Sequence, residues 1–126
     1  MNCSGRIQTG KRGEDIAVAY LKNRGYRIIE RNYKCLFGEI DIVAKDGDTV
    51  VFVEVKSRKS EKFGDPQGAV GREKQKKISR ISLKYLEEKH LYPCDARFDV
   101  VAIKMLPAGS IVELIQNAFE LVPPYI

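Results

Sequence analysis

Asp41, Glu54 and Lys56 stand inside two otherwise apolar runs, GEIDIVA and TVVFVEVK. A buried strand gains nothing from unpaired carboxylates, so these acids need partners or a cation. Asp46-Gly47 between the runs is a strong hairpin signal, because both residues tolerate positive φ. With those two residues as the loop, Lys45 faces Asp48, Asp41 lies opposite Phe52, and Glu39 lies opposite Glu54. Side chains alternate with period two, which puts Glu39, Asp41, Phe52, Glu54 and Lys56 on one face. Asp41 is then diagonal to Glu54, within reach of a shared ion. Two carboxylates suit Mg²⁺ or Mn²⁺, which prefer oxygen ligands. Such an ion acidifies a bound water and polarises phosphoryl oxygens, which is the chemistry of phosphodiester hydrolysis. Lys56 is spaced to position the water or to stabilise charge on the phosphate. Its structural explanation is charge balance, as a partner of Glu54 or Asp41. Glu39 is either a further ligand or a strand-end acid near Arg58.

The elements that must hold these residues can be read in chain order. Thr9 to Gly25 is a first helix, with Glu14, Ala17, Val18 and Leu21 at i, i+3, i+4 and i+7, and Arg24-Gly25 closing it. Glu14 heads the apolar stripe, where a first-turn acid would counter the helix dipole. Tyr26 to Tyr33 is an outer strand with Tyr26, Ile28 and Glu30 on one face. Thr49 to Val55 is apolar on both faces, as suits a central strand covered by helices on both sides. Ser57 to Gly71 is a loop broken by Gly64, Pro66, Gly68 and Gly71, and made basic by Arg58, Lys59 and Lys62. Val70 to His90 is a second helix whose buried stripe is Ile78, Ile81, Tyr85 and Leu86. Projected backwards, that stripe places Lys74 and Gln75 on the same face at the helix's start. Arg72, Lys76, Arg80 and Lys84 form a separate basic row, either a solvated face or a ridge that tracks phosphates. Ala96 to Met105 is a buried strand and Ile111 to Gln116 a last short one. The order is α-β-β-β-α-β-β.

Asp41, twelve intervening residues and then Glu54-Val55-Lys56 resemble the D…(D/E)xK signature of the restriction-endonuclease-like nucleases. The strings GEIDIVA and VFVEVKSR resemble the YraN-like family of bacterial proteins, and also archaeal Holliday-junction resolvases. The YraN-like resemblance runs from KRGEDIAVAYL through RFDVVAI to NAF, nearly the whole chain. Two departures stand out: Ile40 replaces the superfamily's proline, and Leu114 stands where the family pattern has His. The resemblance implies an α/β restriction-endonuclease-like core, a mixed sheet flanked by helices. It further implies a metal-dependent nuclease acting on DNA, including branched or structured DNA. The alternative is a nucleic-acid-binding module that keeps the scaffold with little or no activity. By the same resemblance, Mg²⁺ or Mn²⁺ would be held by Asp41, Glu54 and the backbone carbonyl of Val55. Glu14 would reach across to these carboxylates, and Gln75 would be the helix glutamine some such nucleases add. Arg58, Arg72, Lys74, Lys76 and Arg80 would border the nucleic acid, and resolvase-like relatives work as homodimers.

The bulk properties agree with a single domain over residues 1–126. Hydrophobic residues make up 44% and charged ones 31%, and the net charge of +5 is compatible with a polyanionic partner without requiring one. No run of eighteen apolar residues is present, so no membrane span is expected. The opening MNCSGRIQTGKRG has no apolar core of a secretory signal, and the expected location is the cytoplasm. Cys3, Cys35 and Cys94 have no metal-binding spacing and read as free thiols. His90, in EEKH, reads as a solvated helix end.

Overall fold

The chain runs α1 (Ser4–Asn23), β1 (Arg27–Cys35), β2 (Gly38–Asp46), β3 (Thr49–Arg58), α2 (Arg72–Glu88), β4 (Ala96–Leu106) and β5 (Gly109–Phe119). These elements come from a computed structural model that describes residues 4–58 and 70–123. The strands form one sheet in the order β1-β2-β3-β4-β5. Only β3 and β4 are parallel, with α2 in the connection between them; the other neighbours are antiparallel. The fold is thus mixed α/β in the element order read from the sequence.

Each helix covers one face of the sheet. Ala17, Val18 and Leu21 of α1 pack with Ile42, Ala44, Val51, Val53, Val101 and Ile103. Ile78, Ile81, Tyr85 and Leu86 of α2 pack on the other side with Val43, Val50, Phe52 and Val100. The strand β3 therefore alternates between two cores, Val51 and Val53 towards α1, Val50 and Phe52 towards α2. That explains a run apolar on both faces. No helix among the described residues is long and apolar enough to cross a membrane. Cys35 and Cys94 are free thiols, and Cys3 lies outside the described residues.

Several boundaries differ from the sequence reading. The helix α1 begins at Ser4, which places Glu14 in mid-helix with no acid in the first turn, so Glu14 cannot act on that end of the dipole. A register shift between Ile28 and Glu30 breaks the alternation expected for β1. The central hairpin pairs Asp46 with Thr49, so its two-residue loop is Gly47-Asp48, one step later than expected. Gly47 takes φ 63° while Asp48 stays out of the left-handed region, an arrangement that needs glycine only at the first loop position. The slip moves both strands by one residue, so parity is kept: Asp41 comes level with Glu54 instead of diagonal to it. Ser57 and Arg58, expected in the loop, extend β3 against Ile103 and Lys104. Residues 59–69 of that basic loop, with Lys59 and Lys62, lie outside the described residues.

Candidate active site at the open end of the central hairpin

The ladder between β2 and β3 stops at Ile42 and Val53. Beyond it, the Val55 N–H donates to Asp41 Oδ2 at 2.8 Å, so a side chain takes over where a strand partner ends. Side chains of β2 also cease to alternate here. Ile40 and Val43 both join the α2-side core, while Ile42 and Ala44 face α1. The strand thus turns about its axis through Asp41 and opens a corner at the sheet's end.

Four charged groups meet in that corner. Glu54 is 7% exposed, and its Oε2 lies 2.7 Å from Lys74 Nζ. Burial, and then the negative charge of Glu54, push the Asp41 carboxyl up to about 7, although the Val55 N–H favours its ionised form. The charges of Glu14 and Lys74 also reach Asp41. Burial, followed by the charge of Lys74, holds Lys56 below the ordinary lysine range. Lys74 is also opposed by burial, yet its hydrogen bond to Glu54 and the two carboxylates raise it above its ordinary value. One carboxylate is therefore neutralised by a lysine, and the other is crowded.

Glu14 reaches this corner because α1 lies directly on the end of β3. A side chain at Gly13 would collide with the Ser57 hydroxyl and crowd its Cβ at 3.3 Å, so the glycine eases this close approach. Glu14 is fixed from β1, accepting from Asn32 Nδ2 at 3.1 Å with Arg31 at 3.6 Å. Its charge acts on Asp41 across the gap.

The remaining sequence candidates fall in different places. Gln75 gives its Nε2 to the Val70 carbonyl at 2.9 Å, closing the start of α2, and this is the role the structure shows for it. Arg58 is exposed at the end of β3, where its charge contributes to lowering Lys56. Arg72 and Arg80 are exposed on α2, whereas Lys76 pairs with Glu73 at 3.6 Å. Glu39 is exposed, opposite Lys34 on β1. Leu114 packs at the edge of the α1-side core.

Sequence reasoning gave Lys56 to the water or the phosphate charge, with pairing to Glu54 or Asp41 as its structural alternative, and gave Lys74 to the nucleic acid. The structure gives the direct pairing to Lys74. Its signal was the helical period, since Lys74 precedes Ile78 and Ile81 by four and seven residues. A second cluster was missed altogether. Asp99, 1% exposed, accepts from the Tyr26 hydroxyl at 2.8 Å, Arg97 Nε at 3.0 Å and the Asn117 N–H at 2.9 Å. Arg97 also bonds Asp46 at 2.7 Å, and Gln116 Nε2 donates to the Tyr26 hydroxyl at 2.8 Å. Asp99 lies opposite Val53 on β4, one position from Glu54 in register, and the cluster runs from there towards the central hairpin's turn, where Asp46 joins it; every member has a partner.

The donor set at Asp41 and Glu54 fits a hard cation. Mg²⁺ commonly takes one or two carboxylates and completes its shell with water and substrate phosphate. No group of three His, Cys, Asp or Glu side chains that could hold a metal is found among the described residues. A divalent ion here would depend on two carboxylates, backbone oxygen and solvent.

Comparison with known proteins places the chain. The family model described as "Uncharacterised protein family UPF0102" matches residues 13–103. A UPF0102 protein of Syntrophus aciditrophicus is 62% identical over 115 residues, covering 91% of each chain. One from Geobacter sulfurreducens is 53% identical, covering 89% of this chain and 88% of its own, and one from Dictyoglomus turgidum is 45% identical, covering 89% and 97%. The matched span contains Glu14, Asp41, Glu54, Lys56 and Lys74. The chain belongs to the uncharacterised protein family UPF0102, the YraN-like proteins that its GEIDIVA and VFVEVKSR strings resemble.

Proposed function

We propose that the protein is a metal-dependent nuclease that hydrolyses phosphodiester bonds in DNA, on a restriction-endonuclease-like scaffold. The observation that carries this reading is the Asp41–Glu54 corner, which gathers two carboxylates from adjacent strands and a lysine from each of β3 and α2. Crowding of Asp41 by Glu54 is a standing cost to the fold, and a bound cation relieves it. Asp41, Glu54 and the Val55 carbonyl would hold Mg²⁺ or Mn²⁺, which when bound supplies Lewis acidity at the phosphate and an acidified water. Lys56, half-buried beside them, sets positive charge where a phosphate would sit. Glu14, fixed by Asn32 and Arg31, adds a further negative charge on the Asp41 side of the corner. Exposed Arg58 and Arg72 add cationic contacts for the strand.

The experiment is cleavage of linear, flapped and four-way DNA with Mg²⁺ or Mn²⁺, beside an Asp41→Ala control. Expected is cleavage that falls at least about a hundredfold in the control, as for removal of a principal charge-stabilising group. A thermal melt with millimolar Mn²⁺ accompanies it, and a rise in the wild type alone marks the ion at this corner.

One observation favours a second reading, a nucleic-acid-binding module without catalysis. Lys74 already satisfies Glu54 at 2.7 Å, leaving a corner that is half balanced without any ion. A wild type that neither cleaves nor responds to Mn²⁺ would sink the nuclease reading and leave this one.

A further inference from the structure

Outward from Lys74, the surface along α2 carries two adjoining hollows of about 520 and 550 Å³. They share Phe37, from the turn between β1 and β2, and Arg80. The first hollow begins at Lys74 and the second ends at Tyr92, just past the end of α2. From Lys74 to Lys84 the helix advances roughly 15 Å. Phe37 is 40% exposed and Tyr92 55%, although aromatic rings of this size normally bury themselves. Neighbouring Leu36 is 91% exposed. Of the cations along the hollows, Lys76 and Lys84 lean on Glu73 and Glu87 at 3.6 and 4.0 Å, both loose surface pairs. Lys77 and Arg80 pair with no acid among the described residues.

We infer that this groove binds single-stranded nucleic acid, with bases stacked on Phe37 and Tyr92 and phosphates on Lys77 and Arg80, and delivers the strand to the Lys74 end. Exposed rings separated by cations are what an unpaired strand uses, because each base presents a π-face and each linkage a charge. A duplex hides its base faces and would engage only the cations. A purely apolar protein partner would leave Lys77 and Arg80 desolvated without counter-charge. What happens at the Lys74 end rests on the nuclease reading, whereas the binding itself does not.

The test is fluorescence anisotropy of a labelled oligo-dT strand and of a mixed-sequence duplex, titrated with the full chain in EDTA so that no cleavage intervenes. Three proteins are compared: wild type, Phe37→Ala with Tyr92→Ala, and Lys77→Gln with Arg80→Gln. The wild type should prefer the single strand. The aromatic double variant should lose about tenfold or more of strand affinity, while its weak duplex binding stays unchanged. The charge variant should lower the slope of log affinity against log salt by roughly 1.4, two single-strand phosphate contacts. Equal affinity for strand and duplex, or aromatic truncation without effect on the strand, overturns the inference. So does a change in sedimentation on truncating Phe37 and Tyr92, which would make the groove a contact between copies of the chain. Melting each protein with Mn²⁺ keeps this apart from the nuclease reading. A failed groove with an intact site keeps the Mn²⁺ response and shows unaltered strand affinity. A working groove without the site loses strand affinity on truncation in a protein indifferent to Mn²⁺.

Discussion

At the level of single residues, Asp41 is the most exacting position in the chain. Its carboxyl is pushed from 3.8 to about 7 by burial and by Glu54, so the folded protein keeps a proton that the unfolded chain has shed. An acid raised in this way weakens the fold as pH climbs from about 4 to about 7, and the loss is complete above that window. Replacement of Asp41 by Asn keeps the shape and an acceptor for the Val55 N–H while removing the charge. Asp41→Asn should therefore raise the unfolding free energy at pH about 8 by on the order of 2–4 kcal/mol, and change it little near pH 4. It should also abolish the response to Mn²⁺. Urea midpoints across that range decide the matter, and a gain that is the same at both ends would remove crowding as the cause. That Asp41 and Glu54 would meet was legible, because period-two alternation survives a turn that slips by one residue on both strands. That Lys74, and not Lys56, neutralises Glu54 was not, since the pairing depends on how α2 crosses the sheet.

Among the elements, α1 and α2 have distinct tasks at the corner. The apolar stripe of α2 was readable in full, and all four of its residues are buried. The seat of α1 was less so. Its start at Ser4 lies ahead of the apolar stripe that marks the helix in the sequence, and its approach to β3 is eased by the absence of a side chain at Gly13. Gly13→Ala should push the helix off the end of β3 and cost about 1–3 kcal/mol, the usual range for overpacking a filled site. Because Glu14 moves with the helix, the same change should lower cleavage more than a surface substitution of equal destabilisation. Chemical denaturation read beside initial rates separates the two effects. A variant as stable and as active as the wild type would mean that α1 is free to shift.

For the molecule as a whole, the sheet holds acids within its apolar strands in two different ways. In the sequence, Asp99 in RFDVV is the same kind of anomaly as Asp41 in GEIDIVA, a lone acid in an apolar strand. Arg97, two residues before Asp99 on the same face, is a local sign of the difference, whereas the other partners, Tyr26 and Asn117, are distant in the chain. The structure separates them by satisfaction: Asp99 is held by donors on three sides, whereas Asp41 faces another carboxylate. Asp99→Ala should accordingly cost about 1–3 kcal/mol, opposite in sign to Asp41→Asn, because it leaves the Asn117 N–H and the Tyr26 hydroxyl without their acceptor while Arg97 keeps Asp46. A neutral or stabilising result in a melt would show the network to be dispensable. Each acid also ties down one backbone amide outside the strand ladders, Val55 for Asp41 and Asn117 for Asp99. The protein thus contains two native probes, one beside each acid, readable by amide hydrogen exchange or by proton chemical shift. The Val55 resonance should move with a midpoint near pH 7 and lose protection in Asp41→Ala, while Asn117 keeps its own. In Asp99→Ala the order should reverse. Occupancy of the corner could then be followed at atomic resolution without a substrate, through a proton that the fold already holds there.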